Sequence, residues 1–285
     1  SVEGREIMRL RISGNLSTAG ELPGFVMMGG HHAREHVSMD TPLAFAKHVL
    51  QKYAEGDTEM VRLVQSRDLH IIPMVNPDGA EHDVATGNYR SWRKNRSSNK
   101  GGSYGVDLNR NYGYLWGKGG SSTTPTSDVF MGPAPFSEPE TQAIKSFIES
   151  NPNISMLLSL HTFGELVLWP FDEISNTADL NVFQTMGKTM AAMNGYTPQK
   201  SSDLYVASGD TTDWAYGEHG IFSFTFELDP ADMWDGGFYP GQKVLPGVLA
   251  KNLKPFMYML DLADNPHRVT QPSHLNYGLS APLVD

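Results

Sequence analysis

Phe25-Val26-Met27-Met28-Gly29-Gly30-His31-His32-Ala33-Arg34-Glu35-His36 is the stretch that decides the architecture. An unbroken apolar run closed by two glycines reads as a short strand, buried on both faces, that feeds a loop. Residues 40–54 then carry Leu43, Ala46, Val49, Leu50 and Tyr53 at helical spacing. Residues 69–75 form the next strand, closed by Asn76-Pro77-Asp78-Gly79, a strong turn signal. The same grammar continues outward. Residues 7–12 alternate as a strand, and residues 154–160, 166–169 and 221–227 are apolar strands. Ser137-Glu138-Pro139-Glu140 is a capping box that opens a helix through Ile148, and residues 180–193 and 244–263 are helices. Strands that do not alternate, separated by helices, predict an α/β fold. It is a single domain with a central mixed, mostly parallel sheet and helices on both faces. Ligands in such folds bind beyond the carboxyl ends of the strands. Residues 84–136 are rich in Gly, Ser, Asn and Thr with little period, and long irregular stretches of this kind are usually functional.

Bulk composition narrows the function. Hydrophobic residues at 39% and charged residues at 19% of 285 describe an ordinary globular chain. A formal net charge of -10 argues against a partner with a phosphate backbone, so no nucleic acid is expected. No apolar run approaches the ~20 residues of a membrane span, so no membrane partner is expected either. With no cysteine in the chain, thiolate chemistry is excluded and any zinc site must use His, Asp or Glu.

His32 and Glu35, three apart just past a strand end, can reach one metal together. His32 with His36 is a second pairing. It resembles half of an H-E-x-x-H motif, but Ala33 stands where that motif's glutamate would be. A catalytic zinc needs a third protein ligand and an open position. His161, at the end of the strand over residues 154–160, can supply that ligand. Downstream, Asn109 and Arg110 suit a carboxylate, because the guanidinium fork makes paired charge-assisted bonds and the amide adds a donor. Asp107 can accept a hydrogen bond from a ligating histidine. Glu227 is the lone carboxylate on an apolar strand, where burial without a role or partner is costly.

Taken in order, these segments resemble the A/B-type branch of the zinc metallocarboxypeptidases. The resemblance is carried by His32-Ala33-Arg34-Glu35, Trp92-Arg93-Lys94 with Arg96, and Asp107-Leu108-Asn109-Arg110-Asn111. Ser159-Leu160-His161 follows, and then Tyr205 through Asp213 with Thr225-Phe226-Glu227-Leu228. It implies one zinc ion per chain on His32, Glu35 and His161, with Glu227 as general base and Arg93 stabilising the oxyanion. It also implies that Arg110 and Asn109 grip the terminal carboxylate of a peptide or protein, that Tyr205 closes over it, and that Arg34 touches the substrate further along. Residues 1–264 would be the catalytic domain, lacking the helix that usually opens it, and residues 265–285 a C-terminal tail. A secreted or periplasmic monomer is expected by family analogy.

Thr212 falls at the implied floor of the specificity pocket, where apolar-selective members carry an aliphatic residue and basic-selective members an Asp. A small neutral floor predicts preference for large apolar C-terminal residues, with secondary tolerance of basic ones through Asp210. Phe163 replaces a tyrosine of the digestive members and removes a hydroxyl near the substrate. Two alternatives accompany this reading: a carboxypeptidase specific for cell-wall peptides, and a non-catalytic peptide-binding relative.

Overall fold

The computed structural model describes residues 1–170, 177–204 and 207–271. Among these, a seven-stranded sheet is built from β1 (Leu10–Ile12), β2 (Gly24–Gly29), β3 (Asp68–Ile72), β4 (Ile154–Thr162), β5 (Leu166–Trp169), β6 (Thr197–Lys200) and β7 (Phe222–Leu228). The strand order is β1-β3-β2-β4-β7-β5-β6. Strands β3, β2, β4 and β7 run parallel to one another, as do β5 and β6. Strand β1 pairs antiparallel with β3, and β5 antiparallel with β7. The sheet is therefore mixed and mostly parallel, as the apolar runs predict.

Eight α-helices among the described residues cover it: α1 (His36–Ala54), α2 (Thr58–Ser66), α3 (Pro77–Val84), α4 (Pro139–Glu149), α5 (Thr177–Asn194), α6 (Ser201–Leu204), α7 (Thr211–His219) and α8 (Leu245–Leu262). The two cores explain why β2 and β4 are apolar throughout. Phe25, Met27, Met156, Leu158 and Leu160 face the core made with α1, α2, α5 and α8. Val26, Met28 and Leu157 face the other, made with α4, α7 and the segment around Leu108 and Tyr112. Each fully buried side chain of this size contributes about 1.5–3 kcal/mol. The period of two hides inside a continuous run because both faces are dry.

Several boundaries differ from the sequence expectation. Strand β1 begins only at Leu10. Helix α1 begins at His36, so Glu35 is its N-cap residue. Asn76-Pro77-Asp78-Gly79 is the first turn of α3 rather than a free turn. The Asn76 side chain caps it by accepting from the Gly79 N–H at 2.9 Å, with Pro77 in the first helical turn where a missing N–H costs nothing. The capping box at Ser137 does not form. Glu138 is the N-cap residue of α4, and the Ser137 hydroxyl donates to the Glu138 carboxylate at 2.7 Å. Helices α2, α3, α6 and α7 and strand β6 are additions, and residues 266–270 of the tail form a 3₁₀ turn.

Candidate metal centre and its cavity

Three strand ends assemble the site. His161 is the penultimate residue of β4 and pairs in register with Glu227 on β7. His32 lies just past the end of β2, on the loop that turns into α1. The two glycines make this turn geometrically feasible. A Cβ at Gly29 would lie 1.9 Å from the Ser38 carbonyl oxygen of α1, and Gly30 sits at φ +68°, which glycine tolerates without cost. Ser38 then fastens the turn, donating to the Glu35 carbonyl at 2.6 Å and accepting from the Gly30 N–H at 3.1 Å.

His32, Glu35 and His161 are each buried to within 3% exposure, and their ligand atoms all lie within 4.8 Å of one another. His32 Nδ1 is 2.8 Å from Glu35 Oε1, and His161 Nδ1 is 3.0 Å from Glu35 Oε2 and 3.1 Å from His32 Nδ1. On its other side, His32 Nε2 lies 3.0 Å from Asp107 Oδ1. A proton on Nε2 directed to this carboxylate leaves Nδ1 as a bare lone pair pointing at the Glu35 carboxylate and at His161. Converging lone pairs and a carboxylate in a buried space are the donor set of a divalent cation. Two His and one Glu form a known set for catalytic zinc. The residues present therefore fit the metal. His36, the alternative partner of His32, does not join them. Its Nε2 is 2.9 Å from Asp83 Oδ2.

Charge reinforces this arrangement. Burial opposes ionisation of Asp107, but Arg93 and His32 hold its carboxyl well below the usual carboxylate range. Arg93 Nε and Nη2 donate to Asp107 Oδ2 at 3.0 and 2.9 Å, which brings Arg93 Nη1 to 4.0 Å from Glu35 Oε1. Burial likewise opposes the charge on Glu35, yet the two histidines bring its pKa down. The opposite holds for Glu227. Burial first, and the Glu35 charge second, push its carboxyl well above the usual range, with Arg93 and Arg110 pulling the other way.

Beside the metal ligands lies a cavity of about 400 Å³, its open mouth included. It brings together His161, Glu227, Asn109, Arg110, Asp210 and Thr212. Arg110 is 2% exposed and is braced by the carbonyls of Gly120 at 3.1 Å and Asn109 at 2.7 Å. The Asn109 amide oxygen accepts from the Thr211 N–H at 3.0 Å and the Thr211 hydroxyl at 2.9 Å, which leaves the NH₂ end for the cavity. Asp210 is the N-cap residue of α7. Its Oδ1 accepts from the N–H groups of Thr212 and Asp213 and from the Thr212 hydroxyl, at 2.8–2.9 Å. Arg34 stands apart from this cavity. Its guanidinium lies 4.3 Å from the Phe238 ring centroid, 3.6 Å from Asp128, and donates to the Ser91 carbonyl at 3.3 Å. Tyr205 lies outside the described residues. Phe163 packs edge-on against Phe238 with centroids 4.9 Å apart.

Sequence reasoning passed over several residues. Thr211 orders Asn109 and also sits 2.9 Å from His31 Nε2. His31 is wholly buried, stacked on His161 with centroids 5.7 Å apart, and burial followed by the charges of His161 and His32 pushes its pKa well below the ordinary histidine value. Leu168 and Thr225 line the cavity because β5 and β7 pair them directly, a register that no local pattern announces.

Two His, one Glu, a buried arginine and a carboxylate with a raised pKa thus gather around one cavity at the strand ends of a mixed sheet. The zinc carboxypeptidase family model matches residues 1–254, and the chain belongs to that family. A zinc carboxypeptidase of Saccharothrix mutabilis subsp. capreolus is 36% identical over 264 residues, covering 88% of this chain and 60% of that protein. Carboxypeptidase O of Bos taurus is 35% identical over 269 residues, covering 91% of this chain and 70% of that protein. The structure of carboxypeptidase A from Helicoverpa armigera superposes with a TM-score of 0.81 at 29% identity, covering 96% of this chain and 68% of that one. The fold and these relatives are of the A/B type. The chain spans 60% of the length of the Saccharothrix protein.

Proposed function

We propose that this chain is a zinc-dependent exopeptidase that hydrolyses the C-terminal bond of peptides, with one zinc ion on His32, Glu35 and His161. The observation that carries the reading is the shared cavity. Arg110, Glu227 and the ligand His161 line the same space, so the group that reads a carboxylate and the group that moves a proton face one substrate. Zinc held there would lower the pKa of bound water to about 7 and polarise the scissile carbonyl. Glu227, its pKa raised by burial and by the nearby Glu35, takes a proton from the attacking water and returns it to the leaving amine. Arg93, held by Asp107 beside Glu35, directs Nη1 toward the position where the carbonyl oxygen becomes negative. Arg110 and Asn109 bind the terminal carboxylate, with Tyr205 closing over it and Arg34 and Phe238 meeting the peptide further back. An internal peptide bond offers Arg110 and Asn109 no carboxylate to bind, so the pocket favours chain ends.

Specificity follows from the wall and floor. Leu168, Leu204, Ala207 and the small neutral Thr212 give an apolar pocket, in which a large apolar end gains about 1.5–3 kcal/mol by burial. The described bonds of Asp210 all land on Oδ1, so its second oxygen is the one to meet a basic side chain. The proposed substrates are therefore peptides ending in large apolar residues first and basic residues second. By family analogy we propose that it acts in a secreted or periplasmic setting.

The test is product analysis on matched peptides that differ only in a free or amidated C-terminus. Release of a single residue from the free acid, far faster than from the amide, is expected. Arg110→Ala should lower kcat/KM on the free acid by about 3–5 kcal/mol, the penalty for breaking a buried charge pair. Equal rates on acid and amide would refute the exopeptidase reading.

A further inference from the structure

Behind Glu227, away from the cavity, three distant segments are tied together by one lysine. Lys251 of α8 places Nζ 2.9 Å from Glu165 Oε1 and in close contact with Asp229 Oδ1. Glu165 ends the turn between β4, which carries His161, and β5. Asp229 follows the last residue of β7, the strand that carries Glu227. The other Asp229 oxygen accepts from the Tyr196 hydroxyl in a close contact, and that hydroxyl accepts from Asn252 Nδ2 at 2.8 Å and from the Asp229 N–H at 3.2 Å. Asn194 completes the set, donating to Asn252 Oδ1 at 3.0 Å and accepting from the Tyr196 N–H at 3.0 Å. These residues lie on four pieces of chain, and none of them lines the substrate cavity.

The turn they hold touches the general base. A Cβ added at Gly164 would lie 3.7 Å from Glu227 Cβ, and the Gly164 N–H donates to the Leu228 carbonyl at 3.1 Å. Glu165 sits at φ +54°, a left-handed conformation that a non-glycine residue keeps only when its surroundings hold it. The Thr197 N–H, donating to the Glu165 carbonyl at 2.9 Å, and Lys251 on its carboxylate are what hold it. Lys251 stands between the two carboxylates and offsets their repulsion, adding to the Gly164 N–H bond that joins the turn to the end of β7. Glu227 lies on β7 two residues before Asp229 and pairs in register with Leu166, the residue after Glu165.

We infer that Lys251 is a positioning residue for the hydrolysis: by bridging Glu165 and Asp229 it presses the turn over residues 163–165 against the end of β7 and so fixes the orientation of Glu227. The inference rests on the proposed exopeptidase reading for its catalytic consequence. Its structural half stands alone. A displaced general base lowers turnover without disturbing the groups that bind the terminal carboxylate, because Arg110 and Asn109 belong to a different segment.

The experiment uses the zinc-loaded full chain and a peptide with a free C-terminus. Lys251→Met keeps the aliphatic stem and removes the charge. It should lower kcat about tenfold and leave KM within about twofold, with Lys251→Arg recovering most of the loss. In a Glu227→Gln background the same change should cost nothing further, since it acts through that carboxylate. Amide exchange over residues 163–165 and at Thr197 should accelerate in Lys251→Met whether or not peptide is cleaved. Tyr196→Phe loosens the same anchor more gently. If Lys251→Met does not fold, Tyr196→Phe should still lower kcat alone. An unchanged kcat in the folded variants, a loss confined to KM, or an equal loss in the Glu227→Gln background would overturn the assignment. Unaltered exchange would overturn its structural half. A wild-type chain that cleaves no peptide while Lys251→Met loosens the turn would count against the exopeptidase reading and not against the clasp.

Discussion

The proposed metal end of the cleft and its proposed specificity end stand on different kinds of backbone. At the metal end, His161 and Glu227 are set by strand register, and His32 and Glu35 by a glycine turn that closes on α1. Asp107 and Arg93 brace the ligands with bonds of 2.9–3.0 Å between side chains that are mostly buried. At the specificity end, Asp210 and Thr212 occupy the first turn of α7, and Arg110 is reached from a 3₁₀ turn and held by carbonyls. Gly209 joins the two segments. Its N–H donates to the Tyr114 carbonyl, its carbonyl accepts from the Tyr112 N–H, and a Cβ there would meet the Arg110 carbonyl at 2.7 Å. A sheet edge fixes ligand geometry within a narrow tolerance, as metal binding requires. A loop and helix cap can change one residue without moving a strand, which suits the part of an enzyme that selects substrates.

The contrast predicts that changes at the metal end remove chemistry, whereas changes at the specificity end redistribute it. Glu227→Gln should give the largest effect: about 10²–10⁴-fold lower kcat with zinc content and melting temperature near wild type. A loss under about tenfold would mean that another group takes the proton, and that β7 register is not what sets the chemistry. Asp107→Asn comes next. It keeps the shape and weakens both the His32 and Arg93 contacts, so zinc affinity should fall about 10–100-fold by metal titration. Unchanged affinity would show that the ligands are oriented by the fold alone. The smallest effect belongs to Asp210→Asn. Asparagine still caps α7, so stability should move by no more than a few tenths of a kcal/mol, a cap lost to Ala being worth about 0.5–2. The rate on a peptide ending in Arg, relative to one ending in Phe, should drop several-fold. An unchanged ratio would make Asp210 a helix cap and nothing more, and would leave the apolar wall to decide selectivity.

Legibility follows the same division. His32 and His161 stand out because two local cues coincide at each, an apolar run that ends and a histidine just beyond it, and Glu35 stands out by its spacing of three from His32. Glu227 is visible for a related reason, as the lone carboxylate on an apolar strand. The first helical turn of α7 is less visible. Gly209-Asp210-Thr211-Thr212 reads equally as a loop, because the residues that cap helices also favour turns. The same ambiguity hides α3 behind Asn76-Pro77-Asp78-Gly79.

What the sequence determined by itself was the layered α/β plan and which side chains are candidates for metal ligand and base. Both rest on short-range facts: which runs are apolar, and which polar groups interrupt them. Only the tertiary structure decided which of these groups share a space. That Leu168 and Thr225 line the cavity depends on β5 turning back antiparallel to β7. That Thr211 orders Asn109, 102 residues away in the chain, depends on α7 packing beside the 3₁₀ turn. The joining of Lys251 to Glu165 and Asp229 depends on where α8 comes to rest. Contacts of this kind arise when elements dock to bury their apolar faces, and the polar groups brought along are paired by geometry that no single segment contains.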